Sequence, residues 1–165
     1  MPASEQGVIF DRYMVIPRVL IFLTRGTFFL LMKGAPDKRL WANKYNGIGG
    51  HIERGESALE AARRELLEET GLTTPLRLCG TLVVDAGKNP GVGIYIYSGV
   101  CLDGEPRPSA EGTAEWITLA DAMKYPMLED LPALLGKLHQ MKPDDPPFSA
   151  HSYYRGDQLV VEFTD

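Results

Sequence analysis

A chain of 165 residues is long enough to bury a core of its own, and 44% hydrophobic with 24% charged residues is the make-up of an ordinary globular protein, not of a disordered chain. The net charge of −5 argues against non-specific duplex binding, which needs a basic face to neutralise phosphates. A small phosphate ligand stays open, because a few local cations and a divalent metal can overrule a mildly acidic average.

Residues 1–7 lack the basic-then-apolar order of a secretory signal. The apolar run 14–32 is broken by Pro17, Arg18, Arg25 and Gly26 into pieces too short to cross a bilayer. A cytoplasmic protein with no membrane partner is expected, folded as one domain over 1–165. Residues 18–23 and 27–32 are rich in β-branched and aromatic side chains, which predicts two strands about a Thr24-Arg25-Gly26 turn. Residues 33–46 read as a polar loop carrying Lys33, Lys38, Arg39 and Lys44. A glycine-rich passage, Gly47-Ile48-Gly49-Gly50-His51-Ile52, then leads toward a helix.

That helix is predicted over 58–70. Ser57 and Glu60 make an S-x-x-E capping box, Leu59, Ala62 and Leu66 form a core stripe, and Gly71 sits where a left-handed C-terminal cap is wanted. Strands are predicted at 76–84 and 92–102, joined by a turn at Lys88-Asn89-Pro90-Gly91, with a short strand at 114–119. A helical turn at 121–125 and a helix at 129–141, with Pro132 in its first turn, come next. Residues 142–148, with three prolines, read as an extended connector. Strands at 151–154 and 158–163 around Arg155-Gly156-Asp157 form a C-terminal hairpin, about 150–164. Cys79 and Cys101 lie in apolar strand-like runs and are expected reduced and buried. Strands interleaved with helices imply a mixed β-sheet covered by helices, an α/β fold.

Glu65, Glu68 and Glu69 stand at i, i+3 and i+4 on the first helix, within a fan of about 100°, so their carboxylates can converge on one point. They are expected to face away from the Leu59/Ala62/Leu66 stripe. Like charges at these spacings repel; a hard cation between them reverses the sign, because Mg²⁺ favours oxygen ligands. A plain solvated helix face is the competing reading, with Arg64 as an ordinary i,i+4 partner of Glu68. The surroundings, a Gly-Gly turn, an isolated Glu56 and the Gly71 cap, favour the metal.

The segment Gly50-(five residues)-Glu56-(seven residues)-Arg64-Glu65-Leu66-Leu67-Glu68-Glu69-Thr70-Gly71-Leu72 resembles the Nudix box at every specified position. A chance match in a chain of this size has odds on the order of one in ten million. The resemblance implies an α/β/α sandwich with a central mixed sheet, a loop–helix–loop catalytic motif, and hydrolysis of phosphoanhydrides in nucleoside diphosphate derivatives. It implies Glu65, Glu68 and Glu69 as metal carboxylates, with the Gly49 carbonyl as a further ligand. Glu56 and Arg64 would brace the loop against the helix. An acid after the box often completes the metal site; Glu111 matches, with Glu115 in reserve. The cofactor would be Mg²⁺, with Mn²⁺ able to substitute. It would neutralise phosphate oxygens and acidify an attacking water, while Glu68, Glu69 or Glu111 takes the proton.

Within that family the chain is most similar to the oxidised-purine nucleoside triphosphate diphosphatases, which cut a purine nucleoside triphosphate to the monophosphate and pyrophosphate. Lys33 stands where that group has a substrate-contacting Lys, and Asn46-Gly47-Ile48-Gly49-Gly50 resembles its Asn-Gly-Phe-Gly-Gly, whose Asn recognises the purine edge. Arg18 and Gly50 complete the expected substrate-binding set, and Trp41 or Tyr45 are candidates to stack on a base. The sequence also departs from the group. Tyr125-Pro126-Met127-Leu128 lacks the adjacent aspartates that follow its Trp-Pro, Arg18 replaces a small hydroxyl residue, and the loop before Asn46 is about three residues longer. These departures leave the choice of oxidised bases open. ADP-ribose, a nucleotide sugar or a dinucleoside polyphosphate is the alternative substrate, with Pro90 eighteen residues after Leu72 the mark nearest an ADP-ribose pattern. A non-catalytic nucleotide-sensing domain is the alternative function, against which the box carboxylates are intact. The partner is a small nucleotide, not a nucleic-acid polymer. The sequence is silent on oligomeric state and leaves a homodimer open.

Overall fold

The computed structural model describes residues 2–164. One sheet of nine strands organises it: β1 (Val15–Arg25), β2 (Phe28–Gly34), β3 (Tyr45–Asn46), β4 (Ile48–His51), β5 (Arg77–Val84), β6 (Gly91–Val100), β7 (Gly112–Thr118), β8 (Phe148–Arg155) and β9 (Gln158–Thr164). Among the described residues three α-helices accompany them, α1 (Ala58–Thr70), α2 (Leu119–Ala122) and α3 (Leu131–Gln140). The order is β3-β2-β1-β6-β5-β8-β9, with β4 pairing to β1 and β7 to β2. The β1–β6 and β5–β8 pairs are parallel and the other ladders antiparallel, so the sheet is mixed.

Side chains alternate along β1 and feed two cores. Leu20 and Phe22 join Leu131, Leu134, Leu135 and Leu138 of α3. Val19, Ile21 and Leu23 join Ala61, Ala62 and Leu66 of α1 on the opposite face. A strand buried on both faces reads as a continuous apolar run. The result is an α/β/α sandwich.

β1 has two antiparallel partners in succession. Leu23–Arg25 pair with Phe28–Leu30 of β2, while Arg18–Ile21 pair with Ile48–His51 of β4. The strands β2 and β4 therefore part company midway along β1. Met32 and Lys33 pair instead with Asn46 and Tyr45 of β3, and β7 lines the other side of β2.

Several expectations shift. β1 runs on to Arg25, two residues past the expected end, and the first hairpin turns at Gly26-Thr27, with Gly26 at φ 58° in the left-handed region. β3 and β4 occupy stretches expected as loop and glycine-rich passage. Glycine has little strand propensity of its own, and pairing with β1 supplies what propensity does not. The second long helix starts at Leu131, not 129, and β8 starts at Phe148, three residues earlier than expected. The first helix spans 58–70 as expected, with both hydrogen bonds of the capping box formed and Gly71 at φ 74°. Its stripe is different: Ala61, Ala62 and Leu66 are buried, Leu59 only partly, and Glu69 is buried among them. The expectation that all three glutamates face away from the core fails for Glu69. Seven residues at about 100° each bring it back to within about 20° of Ala62. Both cysteines are buried and unbonded to each other.

Candidate active site

The site forms where β4 meets the start of β1 and the inner face of α1. Gly49 approaches β1 so closely that a Cβ there would overlap the Val19 carbonyl, and a Cβ on Gly50 would overlap the Glu65 carboxylate. The two glycines thus let β4 lie directly against strand and helix. Arg64 ties the turn after β4 to α1: its Nε donates to Glu56 Oε1 at 2.6 Å, Nη2 to Glu56 Oε2 at 3.0 Å and to the His51 carbonyl at 3.1 Å. Nη1 donates to Glu65 Oε1 at 2.7 Å and to Glu68 Oε2 at 3.3 Å. Glu56 also accepts from the Glu53 N–H at 2.9 Å. Its guanidinium partner and that N–H hold the Glu56 carboxyl down to about 2. The same contacts, Glu56 first, raise Arg64 above its ordinary value.

Glu69 is the anomaly. It is 6% exposed, and burial, reinforced by the charges of Glu65 and Glu111, pushes its carboxyl up to about 8. The Gly49 N–H and Lys38 offset only part of this. Uncompensated negative charge inside a fold is costly, and a divalent cation would relieve it. Hard oxygen donors are what Mg²⁺ takes, and Glu69, Glu111 and the Gly49 carbonyl are donors of that chemical kind in this cleft.

A cleft of about 480 Å³ opens on this point. Gly49, Gly50, Glu69 and Glu111 are in its wall; Arg18, Lys38, Arg39, Lys44 and Trp41 contribute a basic and aromatic side; Leu20, Val84, Ile94 and Leu128 make it apolar, and Asn46 and Asp130 add amide and acid. Arg18 is partly buried, and burial lowers its pKa against the opposing effect of the Glu65 and Glu69 carboxylates. Its guanidinium lies 5.7 Å from the Trp41 ring. Asn46 Oδ1 accepts the Gly47 N–H at 2.8 Å, fixing the amide at the start of the bend.

The structure therefore gathers Gly49, Glu69 and Glu111 from the predicted metal set and Arg18, Asn46 and Gly50 from the predicted substrate set in one cleft. Glu65 packs behind Gly50, and Glu68 points to solvent, 60% exposed. Among the described residues no three acidic, histidine or cysteine side chains are drawn together closely enough to hold an ion; Arg64 engages Glu65 and Glu68, and Lys38 engages Glu111. Lys33 is not in the cleft wall; its ammonium turns to the Tyr45 ring, 5.9 Å away. Tyr45 is buried in the α3-side core and donates to Glu115 Oε2 at 2.7 Å, which removes Tyr45 from stacking and ties Glu115 down away from the cleft. Asp130 is the residue the sequence did not bring forward. Placed just before Leu131-Pro132 it reads as a helix N-cap, yet it makes no capping hydrogen bond; it lines the cleft, and burial raises its pKa.

Residues 14–138 match the NUDIX domain, and the chain belongs to the Nudix family as a Nudix hydrolase. It is 34% identical over 138 residues to an oxidized purine nucleoside triphosphate hydrolase of Danio rerio, covering 80% of this chain and 83% of that one. A protein of the same description from Mus musculus is 31% identical over 91 residues, 54% of this chain and 58% of its own. The crystal structure of a MutT protein from Bacillus halodurans shares the fold, with a TM-score of 0.74 at 22% identity, over 90% of this chain and 97% of that one. Among the described residues no helix is long and apolar enough to cross a membrane.

Proposed function

We propose that this chain hydrolyses a purine nucleoside triphosphate to the monophosphate and pyrophosphate, and that the purine can be an oxidised one. One observation carries the reading. A buried carboxylate in need of a cation, Glu69, lies under a glycine bend in the wall of a cleft whose other side is basic. Descriptions of the Danio rerio and Mus musculus relatives support the substrate class.

Glu65, Glu68, Glu69 and Glu111, with the Gly49 carbonyl, would hold Mg²⁺, or Mn²⁺ in its place. Bound there, the ion neutralises phosphate oxygens and makes an attacking water more acidic. The chain's own groups do the rest. Arg18, with Lys38, Arg39 and Lys44 near it, offers positive charge to a phosphate chain in a partly dry cleft, where such contacts are strongest. Asn46, its carbonyl held by Gly47, presents an oriented amide to the purine edge. Trp41 offers an indole face for the base. Glu56 and Arg64 hold the bend against α1, and a carboxylate among Glu68, Glu69 and Glu111 accepts the proton. The protein works as one domain in the cytoplasm, on a free nucleotide.

Incubation with canonical and oxidised purine nucleoside triphosphates, with ADP-ribose and with dinucleoside polyphosphates, in Mg²⁺ or in EDTA, tests this directly. Pyrophosphate released from the triphosphates, abolished by EDTA, is the expected result. Faster turnover of a diphosphate-linked substrate would overturn the substrate assignment.

A further inference from the structure

Lys38 and Glu111 are 73 residues apart, yet their charged ends pair within the cleft wall. The backbone around Glu111 is pinned. Ala35 N–H donates to the Glu111 carbonyl at 3.0 Å, Glu111 N–H donates to Ser109 Oγ at 3.2 Å, and Ser109 and Gly112 exchange hydrogen bonds across the turn. Gly112 sits so near β2 that a Cβ there would overlap the Lys33 carbonyl. What remains to Glu111 is rotation of its side chain about a fixed Cα, and that side chain is 51% exposed. Glu69 senses both members of the pair, Glu111 adding to its burden of negative charge and Lys38 subtracting from it. A half-exposed ion pair of this kind shifts an equilibrium by at most about fivefold. That is too little to keep a carboxylate from a divalent ion bound beside it.

We propose that Lys38 is a positioning residue that holds Glu111 aside in the metal-free protein and exchanges that carboxylate for a phosphate oxygen of the nucleotide once the cation has claimed Glu111. The inference rests on the metal and substrate reading given above. Before loading, the ammonium offsets part of the repulsion between Glu111 and Glu69. After Glu111 has turned, the same ammonium stands unpaired beside an incoming polyanion. A lysine suits the exchange, since its flexible stem and three rotatable donors serve either partner, where a rigid guanidinium fork would favour one geometry. Arg39, Trp41 and Lys44 lie on the same segment and line the same cleft, so the freed ammonium joins cations already in place there. Metal and nucleotide then bind with positive coupling through a single pair.

The test is a cycle of four proteins: wild type, Lys38→Met, Glu111→Gln and the double variant. Each is titrated with Mn²⁺ in the absence of nucleotide, followed by loss of the free-ion electron paramagnetic resonance signal. Lys38→Met is expected to tighten Mn²⁺ binding about three- to fivefold where Glu111 is present, and hardly at all in the Glu111→Gln background. In turnover, Lys38→Met should raise KM by about fivefold or more, with a smaller effect on kcat, and Lys38→Arg should recover part of the loss. Unchanged or weaker Mn²⁺ binding by Lys38→Met overturns the inference. So does an equal tightening in both backgrounds, which would mark general electrostatics and no exchange. A wild type that takes up no Mn²⁺ instead removes the underlying metal site, an outcome distinct from a metal-binding wild type with an unresponsive Lys38 variant.

Discussion

Glu69 is buried in the cleft wall, while the proposed reaction needs its carboxylate ionised, and the two demands conflict. A carboxylate 6% exposed and flanked by Glu65 and Glu111 is costly to keep ionised until a cation arrives. Glu69→Gln keeps the shape and removes the charge. Turnover should fall by at least about 10²-fold, while the thermal midpoint of the metal-free protein holds or rises. Initial rates and calorimetry on the same preparation check both halves; a variant with wild-type turnover would remove Glu69 from the machinery. Asp130 shows the opposite face of sequence reading. Its carboxyl lines the cleft, but an acid beside Glu129 just before a Leu-Pro helix start reads as a helix-start residue and carries no pattern by which to single it out.

Among the elements, α1 was the most legible, because capping residues, spacing and C-terminal glycine all agree on the same boundaries. β3 and β4 were the least legible: both are short and held by partners distant in sequence, and β4 is half glycine. The fan of glutamates was half legible. Helix geometry predicted proximity and the Arg64–Glu68 pair, whereas the engagement of Glu111 by Lys38 and the tie of Arg64 to Glu56 and the turn before the helix depend on tertiary placement. The brace between α1 and the preceding turn has a definite pH signature. Glu56 is held far below its ordinary value by Arg64, so its contribution is fully present above about pH 4.5 and fades as the pH falls toward about 2. Glu56→Gln should therefore lower the urea midpoint at pH 7 and approach wild type in acid; an equal deficit at both pH values would exclude the ion pair as the cause. At the other end of α1, Gly71→Ala places a side chain at φ 74° and should cost about 1 kcal/mol, read by chemical denaturation.

The whole molecule is two cores on either side of one sheet, and β1 serves both. The mixed sheet was readable from alternating strands and helices, but the order of the strands and the crossing of the chain were not, since they arise from which faces find each other. Leu134, fully buried on the inner face of α3, belongs to the core on the side of the sheet opposite the acidic helix. Leu134→Ala should cost about 2–5 kcal/mol in unfolding free energy yet leave kcat of the folded fraction close to wild type. A loss of kcat matching that of Glu69→Gln would show the two faces to be mechanically linked.

β1 hands its hydrogen bonds first to β4 and then to β2, and the groove lies at that fork. Its floor is consequently locked by register: a slip of one residue in β4 would invert every side chain there and displace both glycines from the helix. The intervening span 35–44 carries no ladder of its own, although Gly34 and Lys44 fasten its two ends together. Widening or narrowing of the groove is therefore accommodated most cheaply in that span, where length can change without disturbing the weave beneath.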